Sequence, residues 1–358
     1  MVFIKEICFT KEWINEKREA LQVRDPGLLE KCIYAMELLG NLSQAKDFPF
    51  VFKGGTSLTL LLPTLRRLSI DIDIVSHQAP EGYRSTLNAI GSTALFVGFE
   101  EDLRGEDRLP KRRHFKFFYN SLYSKRRDYV LLDVLEEKVD YPATQTVPIK
   151  TKFIKTDSEI TVTVPSIDSL AGDKLTAFAP LTVGVPLKPK TNTQVVKQVF
   201  DLGEMFSVVS DLEIIKKTHK TIFEAENNYR GSRFTWEQAL QDTIETALLI
   251  CQIQTRGGLK DDGRMALIQD GVKKVNSHIV GPALQIDQVK VAAAKTALLA
   301  AIILQNEQVF DIHTLRYSNE QANLLRELTI QKWPVLNNIK AANPEAFYYW
   351  WQASKIIV

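Results

Sequence analysis

Residues 53–75 read KGGTSLTLLLPTLRRLSIDIDIV, and this stretch decides the fold. A short apolar run at 48–52 precedes it and predicts a strand. Residues 57–62 predict a helix that stops near Pro63, because proline cannot continue it. Residues 68–75 alternate and predict a second strand. The glycines between the first strand and the helix let the backbone approach a ligand closely. The helix N-terminus there offers free N–H groups to phosphate oxygens. Lys53, Gly54, Gly55, Thr56 and Ser57 are therefore candidate nucleotide-binding residues; the bland alternative is a plain turn.

The second signal is Asp71-Ile72-Asp73. Residues two apart on a strand share a face, so both carboxylates project together while Ile70, Ile72 and Ile74 point to the core. Like charges that close repel, and a divalent cation relieves the repulsion. A half-exposed strand with a polar outer face is the other reading. Ser69 shares the carboxylate face, where its hydroxyl is placed to contact phosphate, to be modified as a means of control, or simply to meet water. The third signal is Asp133 within YVLLDVLEE, an apolar strand in which an unpaired carboxylate would cost several kcal/mol, roughly. A neighbouring metal site explains it; a strand-end Asp bonded to a backbone donor is the alternative. Asp128 and Asp140 are weaker candidates because they sit at the strand's ends.

In this order the three signals resemble the polymerase-β-type nucleotidyltransferases. The resemblance implies a mixed sheet in an α+β domain, a Gly-Gly turn on the triphosphate, and Asp71, Asp73 and Asp133 as ligands of two Mg²⁺ ions, with Mn²⁺ as an alternative metal. Downstream, Leu170-Ala171-Gly172-Asp173-Lys174-Leu175-Thr176-Ala177 and Lys197-Gln198-Val199-Phe200-Asp201-Leu202 resemble two helical motifs of the AbiEii family, the toxins of type IV toxin–antitoxin systems. In the second motif Lys197 and Gln198 stand where the family has Arg and Asp, and Asp201 matches its last carboxylate. The resemblance spans about residues 45–205. It implies that Lys174 contacts the nucleotide's phosphates and that Asp201 orients that lysine or joins the active-site network.

Between 108 and 127 run Arg108, Lys111, Arg112, Arg113, Lys116, Lys125, Arg126 and Arg127, interleaved with Phe115, Phe117, Phe118, Tyr119 and Tyr123; Lys150, Lys152 and Lys155 follow. Cations beside such a site suit an RNA acceptor, with Arg112, Arg113, Lys125, Arg126 and Arg127 as the contacts. The net charge of the whole chain is only +2, so any nucleic-acid surface must come from such local clustering. His114 is the one histidine in the strip, and the five histidines show no metal-ligand spacing.

The remaining sequence bounds the architecture. Helices are predicted over 10–22, 27–45, 84–97, 167–179 and 193–206, and strands over 113–121, 128–138 and 160–164. Beyond 207 strand signals fade, and 235–254, 286–306 and 318–330 read as helices. This divides the chain into N-terminal helices (1–45), a nucleotidyltransferase domain (46–206) and a helical C-terminal domain (207–358). Three well-separated cysteines argue against a disulfide framework or a cysteine-based zinc site. The first residues are too polar for a signal peptide, and the most apolar run, 296–304, is too short to span a bilayer, so a cytoplasmic protein is expected.

The expectation is transfer of NMP from NTP to an acceptor. The resemblance points to RNA, the 3′ end of tRNA, with a toxin's role and a separately encoded antitoxin. Transfer to a small molecule or protein is the alternative enzyme, and a catalytically silent nucleic-acid-binding module is the alternative class.

Overall fold

The computed structural model describes residues 3–78, 80–103, 110–136, 140–259, 263–306 and 311–357. Arg108 lies outside them. The chain forms two compact units. One is Met1–Ser166 with Ser277–Pro282, the other Ile167–Asn276 with Ala283–Val358.

The first unit is α+β. Its elements are α1 (Lys11–Leu21), α2 (Pro26–Gln44), β1 (Val51–Lys53), α3 (Gly54–Leu61), β2 (Ile72–Val75), α4 (Pro80–Gly91), β3 (Phe99–Asp102), β4 (Arg112–Asn120), β5 (Arg127–Leu135), β6 (Thr144–Pro148) and β7 (Thr161–Pro165). A five-stranded mixed sheet runs β1-β2-β5-β4-β3. β2 and β5 are parallel; the other neighbours are antiparallel. β6 and β7 pair separately.

One face of the sheet makes the core. Phe115, Phe117, Tyr119, Val130, Leu132 and Val134 alternate inward from β4 and β5 and are buried. α2 starts where expected, because Pro26 sits in its first turn and the Asp25 carboxylate accepts from the Gly27 and Leu28 N–H groups. It buries Leu29, Ile33, Met36 and Leu39, and Tyr34 stacks on Tyr119 at 3.8 Å between centroids. The period of two leaves His114, Lys116, Phe118, Leu131 and Asp133 half-buried on the opposite face.

Three departures from the sequence reading have physical causes. The second strand begins at Ile72, not 68, because residues 66–68 spend their backbone hydrogen bonds elsewhere. Val280 donates to the Arg66 carbonyl and Leu68 to the His278 carbonyl, so Ser277–Pro282 clamps this segment. The helix after the glycines begins at Gly54 itself, not at 57. β3, sequence FEED, lacks apolar alternation; its acidic side chains meet the basic β4.

The second unit is helical: α5 (Ile167–Ala177), α6 (Asn192–Met205), α7 (Leu212–Tyr229), α8 (Trp236–Gln252), α9 (Arg264–Val275), α10 (Ile286–Gln305) and α11 (Pro344–Ile356). α10 is its axis, packed by α6, α8 and α11. Where 318–330 suggested a helix there are short 3₁₀ turns at Asn319–Ala322 and Leu324–Glu327. Composition divides the chain at 206/207, whereas packing divides it at 166/167, because α5 and α6 bury their apolar faces against α7, α9 and α10. Among the described residues no helix is long and apolar enough to cross a membrane, and all three cysteines are buried thiols.

Candidate active site

Strand register assembles the site. Lys53 on β1 pairs with Asp73 on β2, Asp73 with Asp133 on β5, Asp133 with His114 on β4, and His114 with Asp102 on β3. Residues in register share a face, so these five make one row across the half-open side of the sheet. Parallel pairing of β2 with β5 is what brings Asp133 beside Asp73, 60 residues apart in the chain.

Asp73 is half-buried, and enough protein surrounds its carboxyl that desolvation pushes its pKa up to about 7. Asp133 and then Asp71 add to the rise by like-charge repulsion, while Lys53 and Arg112 oppose it. Lys53 also lies 5.8 Å from the centre of the Tyr141 ring. The His114 Nδ1 stands 2.5 Å from the Asp133 Oδ1. Residue type alone does not single out His114, the one histidine of the basic strip. Counting both strands back from their hairpin would have placed it opposite Asp133.

Gly54 explains itself geometrically. Its φ is +80°, and a Cβ there would lie 2.1 Å from the Asp73 Oδ2. Glycine therefore lets the Asp73 carboxylate seat against the first turn of α3. Those first N–H groups lack intrahelical partners, and the helix dipole favours negative charge there. A Cβ on Gly55 would meet the Arg67 guanidinium at 2.7 Å and the Ser69 Oγ at 2.9 Å, so Ser69 and the buried Arg67 also border the turn. Thr56 and Ser57 are buried, and their hydroxyls donate inward, Thr56 to the Asp71 carbonyl at 2.5 Å and Ser57 to the Gly54 carbonyl at 2.8 Å. They fix the turn's shape; the groups they leave for a phosphate are backbone N–H.

The carboxylates suit a hard divalent cation by donor type, since all are oxygens. Their mutual repulsion, visible in Asp73, is what a cation would relieve. Among the described residues no group of three or more His, Cys, Asp or Glu forms a ready-made metal cage. Mg²⁺ does not need one, because it is held by one or two carboxylates together with substrate phosphates and water.

Lys174 and Asp201 lie in the second unit, on α5 and α6. They form a buried ion pair, Nζ to Oδ2 2.7 Å, and the Lys174 ammonium also donates to the Gln198 Oε1 at 3.2 Å. Replacing Lys174 by Met removes the cation beside a buried carboxylate. The expected cost is about 3 kcal/mol of stability, read from urea unfolding. An unchanged midpoint would show that the pair contributes nothing to the fold.

The basic strip is less free than its composition suggested. Arg113 is tied to Glu101 at 2.5 Å and Glu136 at 3.1 Å, and Lys116 to Asp102 at 3.0 Å. Arg112, Lys125, Arg126 and Arg127 are exposed.

Two solved structures from Helicobacter pylori are similar in outline. One is JHP933, at 16% identity and a TM-score of 0.44, covering 85% of this chain and 100% of that one. The other is a candidate nucleotidyltransferase, at 14% identity and a TM-score of 0.43, covering 83% and 100%. No functionally curated protein matches the chain. A family model described as the nucleotidyl transferase AbiEii toxin of type IV toxin–antitoxin systems matches residues 37–273, which include the Gly-Gly turn, the strand carboxylates Asp73 and Asp133, Asp71 just ahead of β2, Lys174 and Asp201. The chain therefore belongs to the AbiEii family of nucleotidyltransferase toxins.

Proposed function

We propose that this nucleotidyltransferase uses Mg²⁺ to transfer NMP from NTP to the 3′ end of an RNA, releasing pyrophosphate, with tRNA the leading acceptor, and that it arrests growth until its antitoxin intervenes. The observation that carries the reading is the register of Asp73 with Asp133 beside the glycine-built start of α3. In this reading the α3 N–H groups, with Ser69 and Arg67 at the border, cradle the triphosphate. Asp71, Asp73 and Asp133 hold the divalent cations, two of them, with Mn²⁺ able to substitute. When bound, those ions stabilise the attacking and leaving oxygens of displacement at the α-phosphate. Asp133, aligned by His114, takes the proton of the attacking hydroxyl. Lys174 neutralises phosphate charge, and Asp201 with Gln198 orients its ammonium. Arg112, Lys125, Arg126 and Arg127 take the phosphates of the acceptor.

Purified protein incubated with each labelled NTP, Mg²⁺ and total tRNA should label RNA with one or more nucleotides, and chelation should stop it. If no RNA is labelled while a protein or small molecule is, the alternative enzyme is selected. If nothing is labelled and the Asp71→Ala protein harms cells as much as the unaltered one, the function does not depend on transfer.

A further inference from the structure

The half-open face of the sheet does not end at the carboxylates. Two residues back from Asp133 along β5 stands Leu131, and two further back Tyr129. Their register partners on β4 are Lys116 and Phe118. All four share the Asp133 face by the strand period. Their neighbours in the chain, Phe117, Tyr119 and Val130, are buried in the core, whereas Tyr129 is 37% exposed. The two outward rings meet edge-on, 6.0 Å apart. Cations frame them: the Lys116 Nζ lies 5.4 Å and the Lys31 Nζ 5.0 Å from the Tyr129 ring centre, and the Arg127 guanidinium 5.4 Å from that of Phe118. Lys116 is held by Asp102 and Lys31 by Asp128 at 2.7 Å, so both ammonium groups are fixed in place.

An aromatic pair framed by cations on an open sheet face suits a single-stranded nucleic acid. Unstacked bases lie on the rings and the backbone meets the cations, whereas a duplex keeps its base faces covered. Four residues of strand separate Tyr129 from Asp133, roughly 13 Å, so the strip leads straight to the carboxylate row.

We propose that this strip is the acceptor-strand subsite. The unpaired 3′-terminal nucleotides of the RNA run along β5 with bases against Tyr129 and Phe118, and the terminal hydroxyl reaches Asp133. The inference rests on the reading of the enzyme as RNA-directed and adds a requirement, that the acceptor end in a single-stranded overhang. Continuity with the carboxylate row and the lysine-rich frame favour RNA over a protein partner, since lysine is depleted at the centres of protein interfaces.

The test uses the full chain and a short fluorescein-labelled oligoribonucleotide, single-stranded or as a blunt duplex. The single strand should bind more tightly. Tyr129→Leu, which keeps apolar bulk but cannot stack, should weaken binding about tenfold. Tyr129→Phe should stay within about twofold, which separates stacking from damage to the fold. In transfer assays Tyr129→Leu should raise the KM for RNA and leave the KM for NTP unchanged. If Tyr129→Leu binds and extends RNA like the unaltered protein, the subsite is overturned while RNA-directed transfer stands. If Tyr129→Leu loses only a protein partner, the subsite is likewise overturned. If no RNA is extended at all but single-strand binding depends on Tyr129, the transfer reading falls and the binding strip is supported.

Discussion

Asp73→Asn is expected to abolish nucleotidyl transfer and, in the same protein, to raise the melting temperature of the metal-free form at pH 8. The two effects share one cause. The site holds like charges together, and in the proposed mechanism that arrangement serves metal and phosphate at the expense of the empty fold. Burial and the neighbouring Asp133 and Asp71 push the folded carboxyl of Asp73 up to about 7, well above the usual carboxylate range. A carboxyl whose folded pKa is raised contributes stability below its unfolded pKa, and that contribution is lost as pH rises through the folded value. At pH 8 the native protein therefore carries the cost of an ionised Asp73 beside Asp133 and Asp71, and Asn removes it. The gain is on the order of 2 kcal/mol, and it should shrink towards pH 5. If Asp73 holds the catalytic cation as proposed, the loss of transfer should be about 10³-fold or more. Mg²⁺ should raise the melting temperature of the unaltered protein more at pH 8 than at pH 6, and should do little for Asp73→Asn. Thermal scans at both pH values, with and without Mg²⁺, read all of this. A variant that melts lower at pH 8 would mean that Asp73 holds the fold together rather than straining it.

Gly54→Ala is expected to lose both activity and stability, far more than Gly55→Ala. At Gly54 the added methyl meets two obstacles. The φ of +80° disfavours any L side chain by about 1 kcal/mol or more. The Cβ would also lie 2.1 Å from the Asp73 Oδ2, so either the carboxylate or the helix start must move. A total near 3 kcal/mol follows from strain plus displacement, in the range of special backbone positions. At Gly55 the obstructing atoms are a guanidinium nitrogen and a serine hydroxyl, ends of side chains that can shift. A cycle with Asp73→Ala separates the two costs. Once the Asp73 carboxylate is absent, only the Cβ of residue 73 remains close, at 3.0 Å, and Gly54→Ala should cost little beyond the backbone term, about 1–2 kcal/mol in urea unfolding. Full additivity would show that Gly54 serves its φ alone and makes no room for the carboxylate.

Much of this site was legible in residues 53–75. The Gly-Gly turn, the helix after it and the alternation from Ile72 to Val75 are local patterns, and a strand's period of two is fixed by backbone geometry; Asp71 falls just ahead of the strand. The hydrophobic run around Asp133 was legible for the same reason. The two helical motifs that resemble the AbiEii family were readable as ordered residues, and the family model spans both.

What local pattern could not reveal is pairing. Nothing in residues 68–75 announces that Leu68 donates to His278. That partner is 210 residues away, in a segment, Ser277–Pro282, that carries a glycine and a proline and no strand pattern. Nor does FEED announce a strand, since its acidic side chains are satisfied by β4 and only Phe99 packs on the core. The basic strip was visible as composition, but that Arg113 is spent on Glu101 and Glu136, and that Lys116 meets Asp102 while it stands over Tyr129, follows from register. Sequence by itself determined which side chains carry charge and which face of each element is apolar. Tertiary structure decided which charges become neighbours, because strand pairing is non-local and a shift of one residue turns every side chain to the other face. The parallel register of β2 with β5 sets Asp73 beside Asp133, and the antiparallel register of β4 brings His114 and the outward aromatic pair onto the same face.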